Sequence, residues 1–207
     1  MKAKLKDRIE AARLLESELE NYKANKDVVV MAIYEGGVPL GYHLAKKLKV
    51  SFDIVPCKKL DHPAKKGKII GSVTIDEITT HDDADIPCDY IYHQVRQIQN
   101  ELKNRYKHYR GDKLPLELKE KIVILVDDHL KTKDSMMVCL RSIKKQAPAK
   151  IIVAVPVSTV AASQQIMPEV DDFICLIKSF DHDSADNIYE NQPTASDEEV
   201  KYLLNLA

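Results

Sequence analysis

Residues Lys121 to Met136 read KIVILVDDHLKTKDSM, in which the apolar run Ile122 to Val126 passes straight into two carboxylates, Asp127 and Asp128. A short run of this kind, rich in β-branched residues, predicts a strand buried on both faces, as in a parallel sheet covered by helices. Open sheets of that type bind ligands outside the carboxyl ends of their strands, where the two acids fall. The hydroxyls of Thr132 and Ser135 follow, and the spacing of Met136, Leu140 and Ile143 predicts a helix. The first N–H groups of a helix lack partners within it and suit a phosphate. Acids for sugar hydroxyls beside such a helix start make a cradle for a sugar phosphate. The plainer reading of Asp127-Asp128 is a strand end entering a turn, and Thr132 and Ser135 weigh against it.

On either side of this stretch, helix and strand patterns alternate along the chain. Apolar residues at helical spacing run from Leu5 through Ile9, Ala12, Leu15 and Leu19 to Tyr22; Val28 to Tyr34 predicts a strand, and Leu40 to Leu48 a helix. Phe52 to Pro56 predicts the next strand. Residues 61–84 are polar, and the inner part, Lys68 to Ile75, alternates like a hairpin or a flap. Ile91, Val95, Ile98, Leu102, Tyr106 and Tyr109 mark a long helix that Gly111 ends. Beyond the opening motif come a strand at Ile151 to Val157, a short helix near Ala161 to Ile166 and a strand at Phe173 to Ile177. The tail or hood, residues 179–207, closes with a helix that Ser196 is placed to cap. Repeated βα alternation predicts one α/β domain over 1–207 with a mostly parallel central sheet flanked by helices.

Composition narrows the classes of function. A chain of 207 residues suits one domain, and 31 Lys and Arg against 32 Asp and Glu leave a net charge of -1. No basic field argues for nucleic acid, so any phosphate recognition must be local. The start MKAKLKDRIE lacks the apolar segment of a signal peptide, and no run reaches the ~18 apolar residues a membrane span needs. The expectation is therefore a soluble cytoplasmic protein. Cys57, Cys88, Cys139 and Cys175 lack close pair spacing and read as ordinary thiols.

A second constellation lies after the first predicted strand. The chain has only 6 Gly, yet Gly36, Gly37 and Gly41 fall together in YEGGVPLG. A Gly-Gly turn at a strand end permits close backbone approach and aims N–H groups at an anion such as pyrophosphate; plain chain reversal is its ordinary reading.

These residues resemble the type I phosphoribosyltransferases, whose signature is an apolar strand, two acids, a Thr and a later Ser or Thr. Here those positions are Val123 to Val126, Asp127, Asp128, Thr132 and Ser135. The similarity is nearest to a bacterial branch with an undefined acceptor, and it extends to GGVP at Gly36, YRG at Tyr109, VAVPV at Val153, YEN at Tyr189 and SDEEV at Ser196. It implies transfer of a phosphoribosyl group from 5-phosphoribosyl 1-pyrophosphate (PRPP), with Mg²⁺ held chiefly through PRPP oxygens and pyrophosphate released. Asp127 and Asp128 would take the ribose hydroxyls and favour the positive charge that grows on the ring. Lys131, Thr132, Lys133, Asp134 and Ser135 would hold the 5′-phosphate, and Glu35, Gly36, Gly37, Lys58 and Lys59 would meet the pyrophosphate. A flap at 61–84 would close to exclude water.

The chain departs from that pattern in its loops. His129 and Lys133 stand where relatives commonly carry glycine or alanine, and Glu35 stands where a basic residue is common. A side chain at 133 crowds the backbone if that residue takes unusual dihedrals. Asp134 either caps a helix or repels a phosphate. A non-catalytic PRPP- or nucleotide-binding regulatory module is the alternative to an enzyme. A phospho-accepting receiver domain, which also shows ILVDDH, needs on the order of 120 residues after its acidic pair. The remaining chain is too short for it. Apolar faces on the first helix and on the long helix would suit a homodimer.

Overall fold

The computed structural model describes residues 4–34, 36–81, 86–111, 113–180, 188–190 and 195–206. Its central sheet holds five strands: β1 (Val28–Ile33), β2 (Ser51–Val55), β6 (Ile122–Val126), β7 (Lys150–Thr159) and β8 (Asp172–Ser179). Across the sheet their order is β2-β1-β6-β7-β8, and every neighbouring pair is parallel. The strands between them in the chain, β3 (Cys57–Asp61), β4 (Ile69–Thr74) and β5 (Ile78–Thr80), form a separate antiparallel sheet. The helices are α1 (Arg8–Glu18), α2 (Gly37–Leu48), α3 (Cys88–Arg110), α4 (Asp134–Lys144), α5 (Val160–Ile166) and α6 (Asp197–Leu206).

The central strands are apolar on both faces because helices cover both. Val28, Val30 and Ala32 of β1 and Ile124 and Val126 of β6 pack with α1, α2 and α6 through Leu15, Leu40, Leu44 and Leu203. Val29, Met31 and Ile33 of β1 and Val123 and Leu125 of β6 face α4 and α5 through Met136, Leu140, Ile143 and Ile166. Alternation within each strand thus feeds two separate cores. The third core lies under the antiparallel sheet, where Leu60, Ile70 and Val73 meet Val95, Ile98 and Leu102 of α3. The main apolar stripes of α1 and α3 are accordingly covered within the chain.

Most of the expected elements form close to their predicted places. Lys68 to Ile75 does contain a hairpin strand, and Ser196 does cap α6, its Oγ accepting from Glu199 N at 3.2 Å. Two strands differ from the sequence reading. Residues 57–61, which run from just after the strand expected at Phe52 to Pro56 into the first residue of the polar segment, form β3, and residues 78–80 form β5. Pro56 stands between β2 and β3. Having no N–H, it suits a place where the chain leaves one sheet for another.

Buried polar groups tie the edge strand to the end of α3. Asp53 of β2 is almost fully buried and meets Arg110 Nη1 at 2.9 Å, while the Tyr106 hydroxyl donates to its Oδ2 at 2.8 Å. Burial, followed by the charge of Asp53, pushes the Tyr106 hydroxyl far above its ordinary range. Arg110 therefore does more than complement the helix dipole: it satisfies a buried acid.

Gly41 sets how closely α2 approaches the sheet. A Cβ there would lie 2.8 Å from Ala32 Cβ, 2.9 Å from Phe52 Cε2 and 3.0 Å from Val126 Cγ2. In an exposed helix Gly→Ala gains about 1 kcal/mol, whereas overpacking a tight core costs about 1–3 kcal/mol. Gly41→Ala is expected to lower stability in urea denaturation despite its better helix propensity.

Candidate active site

Leaving aside the inserted antiparallel strands, β1 sits where the chain's connections turn from one side of the sheet to the other. Carboxyl ends at such a switch point leave a crevice for a ligand. β1 ends at Ile33 beside the turn into α2, and β6 ends at Val126 before Asp127 and Asp128. Between these ends and β3 lies a cleft of about 660 Å³. Gly36, Lys58, Lys59, Asp127, Asp128, Lys131, Thr132 and Ser135 line it, together with Arg8, Tyr34, His129 and others. Gly37, Lys133 and Asp134 are not among its walls. The Glu35 assignment lies outside the described residues.

Contact, rather than backbone conformation, explains the two glycines. Gly36 has φ −65°, an ordinary helical value, so no dihedral demands glycine. A Cβ on Gly36, however, would lie 2.6 Å from both carboxylate oxygens of Asp128. One on Gly37 would lie 3.0 Å from the Val126 carbonyl oxygen and 3.2 Å from Asp127 Cα. The start of α2 therefore rests directly on the end of β6.

The adjacent acids occupy different environments. Asp127 Oδ1 accepts from the Asp128 N–H at 2.8 Å. Burial, and then the neighbouring charge of Asp128, pushes the Asp127 carboxyl well above the ordinary carboxylate range. Burial pulls Asp128 the same way, but His129 and Arg8 outweigh it and hold this carboxyl down to about 2. Arg8 Nη2 donates to Asp128 Oδ2 at 2.6 Å, and His129 Nδ1 stands 2.6 Å from Oδ1. The His129 contact lacks hydrogen-bond alignment, so Asp128 Oδ1 is a buried acceptor without a hydrogen-bond donor among the described residues. A buried oxygen left in that state is costly, and a ligand hydroxyl would satisfy it.

The loop from 129 to 135 needs no glycine. None of its residues has positive φ, and Lys133 is helical at φ −71°, ψ −19°. Its position is fixed from β7: Leu130 N donates to Val157 O at 2.9 Å, Thr159 N to Leu130 O at 2.9 Å, and the Thr159 hydroxyl to Lys131 O at 2.9 Å. Thr132 is exposed beside the cleft, and α4 begins at Asp134 with no side-chain cap. Asp134 thus serves as the first residue of the helix rather than its cap, and its Oδ1 lies 2.9 Å from His81 Nε2. Ser135 Oγ is 3.5 Å from Ser72 Oγ of β4.

The lysines after β2 separate in role. Both belong to β3, and Lys58 Nζ is engaged by both carboxylate oxygens of Glu101 at 3.0 and 2.8 Å. Lys59 also lines the cleft and has no ion-pair partner among the described residues. No group of three or more His, Cys, Asp or Glu side chains among the described residues could hold a metal ion. Mg²⁺ carried in on a ligand's phosphate oxygens would keep those oxygens and water as its ligands and would need no such group. No helix among the described residues is long and apolar enough to cross a membrane.

Three groups at the site lie outside the residues that the sequence assigns to it. Arg8 arrives from the first turn of α1, and its guanidinium also lies 5.3 Å from the Tyr189 ring centroid. The Tyr189 hydroxyl donates to the Asp128 carbonyl at 3.3 Å. Tyr34, at the end of β1, donates to Asp197 of α6 at 2.9 Å and lies 3.0 Å from the Tyr109 hydroxyl. Only the YEN and SDEEV similarities point toward this part of the chain.

The raised Asp127 carboxyl has a consequence for stability. Its folded form holds a proton above the unfolded value of about 3.9, so ionisation opposes folding as pH rises beyond that value. Asp128 acts in the opposite sense: its contribution is present above about pH 4 and is lost as pH falls toward about 2. Asp127→Asn is expected to raise the thermal midpoint at pH 7, by about 2–4 °C per kcal/mol recovered. The gain should shrink as the pH is lowered to 4, measured by calorimetry.

The chain is similar to known proteins over nearly its whole length. A Mycobacterium tuberculosis (strain H37Rv) protein provisionally named a phosphoribosyl transferase is 24% identical over 206 residues, covering 97% of this chain and 46% of its own. The chain thus spans about half the length of that relative. TT1426 from Thermus thermophilus superposes with a TM-score of 0.80 at 24% identity, covering 97% of both chains. A hypoxanthine phosphoribosyltransferase from Staphylococcus aureus gives a TM-score of 0.50 at 12% identity, covering 84% of this chain and 74% of its own. These likenesses show a shared fold. The model of the phosphoribosyl transferase domain matches residues 3–199, and the chain belongs to that family.

Proposed function

We propose that the cleft binds Mg-PRPP and that the protein transfers the phosphoribosyl group to an acceptor with release of pyrophosphate. The observation that carries this reading is the pair of unlike acids at the end of β6, one of them with a buried oxygen lacking a donor beside the cleft. Ribose offers two neighbouring hydroxyls. One would donate to Asp128 Oδ1 once His129, whose side chain is 37% exposed, turns aside. Asp127, protonated more readily, both donates and accepts.

The other groups follow the chemistry of the ligand. Thr132, Ser135 and the N–H groups at the start of α4 would take the 5′-phosphate, where the helix dipole favours an anion. The Asp134–His81 contact draws that carboxylate toward β5. Lys59 and the Gly36 backbone would face the pyrophosphate, while Lys58 is committed to Glu101. Bound Mg²⁺ supplies positive charge to the diphosphate oxygens and makes them a better leaving group. As the bond from the anomeric carbon to pyrophosphate breaks and the bond to the acceptor forms, positive charge grows on the ribose. The ionised Asp128 would stabilise it electrostatically. Within the expected flap at 61–84, Asp61 and Ile69 line the cleft, and the loop at 62–68 that joins them would close over the ligand.

A regulatory module that binds PRPP or a nucleotide without turnover is the second reading, favoured by the enclosure of Asp128, whose side chain is only 6% exposed. Calorimetric titration with Mg-PRPP is expected to show binding by the parent. Asp127→Asn combined with Asp128→Asn should abolish it with the circular dichroism spectrum unchanged. Binding by the double variant as tight as the parent's sinks the cradle assignment. Pyrophosphate release across a panel of bases and amines then separates the readings: release identifies an enzyme, and binding without release identifies the regulatory module.

A further inference from the structure

We propose that Arg8 is a positioning residue of the ribose site, carried there by a strap of residues 5 and 188–190, and that it presents Asp128 to a ribose hydroxyl. This rests on the assignment of the cleft to PRPP.

The strap joins two segments far apart in the sequence. Leu5 N donates to Ile188 O at 2.8 Å and Glu190 N to Leu5 O at 2.9 Å, a parallel bridge between Leu5 and Tyr189. Immediately after it, Asp7 caps α1 by accepting from Glu10 N at 2.9 Å, so Arg8 leaves the first helical position in a fixed direction. Its guanidinium packs over Tyr189 and donates to Asp128 Oδ2, while the Tyr189 hydroxyl holds the Asp128 carbonyl. Side chain and backbone of one acid are thereby gripped from both segments.

The grip is selective between the oxygens. Arg8 occupies Oδ2 and leaves Oδ1 without an aligned donor, and the Gly36 backbone against both oxygens restricts rotation of the carboxylate. A buried ion pair that served stability alone could sit anywhere in the core. This one uses an acid of the β6 end, and its guanidinium is itself part of the cleft wall. Among the described residues, the charged or titratable groups facing Asp128 are Arg8 from α1, Asp127 and His129 from its own segment, and Tyr189 from the strap. Arg8 and His129 favour its ionised form, and Asp127 opposes it.

The test uses the full chain with Arg8→Met and Arg8→Lys and two measurements. In the ligand-free protein, carbon NMR follows the Asp128 carboxyl, assigned by its loss in Asp128→Asn. Arg8→Met is expected to raise its titration from about 2 into the ordinary carboxylate range or above. In calorimetry with Mg-PRPP, Arg8→Met should weaken binding by about tenfold or more, with a larger loss at pH 5 than at pH 8, because a protonated Asp128 accepts a hydroxyl less strongly than its ionised form. Arg8→Lys keeps the charge without the fork and should fall between the two. An unchanged Asp128 titration in Arg8→Met overturns the inference, as does parent-like Mg-PRPP affinity at both pH values. If Arg8→Met does not fold, parent-like titration and affinity in Arg8→Lys overturn it equally. A parent that binds no Mg-PRPP sinks the functional reading instead, while the ligand-free titration still reports what Arg8 does to Asp128.

Discussion

The start of α2 sits on the end of β6, and that contact governs the geometry of the whole site. Gly37 lies against the Val126 carbonyl and Asp127 Cα, and Gly36 against the Asp128 carboxylate, at separations that leave little or no room for a β-carbon. Four residues on, Gly41 repeats the constraint against Ala32, Phe52 and Val126. α2 is thus pressed onto three adjacent strands, and its N-terminus opens into the cleft beside both acids. Close packing makes this arrangement rigid, since an interior at crystal-like density has no slack to absorb a methyl group.

Electrostatic asymmetry follows from that seating. Two neighbouring carboxyl groups in one backbone turn would share a similar environment in water. Here one sits at the base of the cleft with a backbone N–H for relief, and the other is enclosed between a guanidinium and an imidazole. Burial raises both, and only the second has cations strong enough to reverse it. Opposed environments for paired acids are a common way to give them different tasks in one site. The antiparallel sheet contributes the opposite charge, placing Lys59 across the cleft while Glu101 neutralises Lys58.

Much of the fold is legible in the chain because its central strands are buried on both faces. Val28 to Ile33, Ile122 to Val126 and Ile151 to Val157 are apolar without alternation, a pattern that a half-exposed sheet does not produce. The strands that local pattern does not show, β3 and β5, are short, and they carry lysines, threonines and an aspartate because one side of their sheet meets solvent or the cleft. Their apolar contribution is only a few residues, among them Leu60, which packs on α3. Periodicity has little to read in such a segment.

Residue types over a few neighbouring positions suffice to specify the parallel α/β core, the acidic strand end, the hydroxyls of Thr132 and Ser135 and the glycine turn. Which acid is pushed toward its protonated form, which cleft lysine is paired with Glu101 and why the loop tolerates Lys133 emerge only once the chain is folded. Folding also brings Arg8 and Tyr189 to Asp128. These features depend on distances between segments far apart in the chain, and a carboxylate's charge state is set by whatever cations the fold brings within a few ångströms. An arginine in the first turn of a polar helix carries no local mark of that destination.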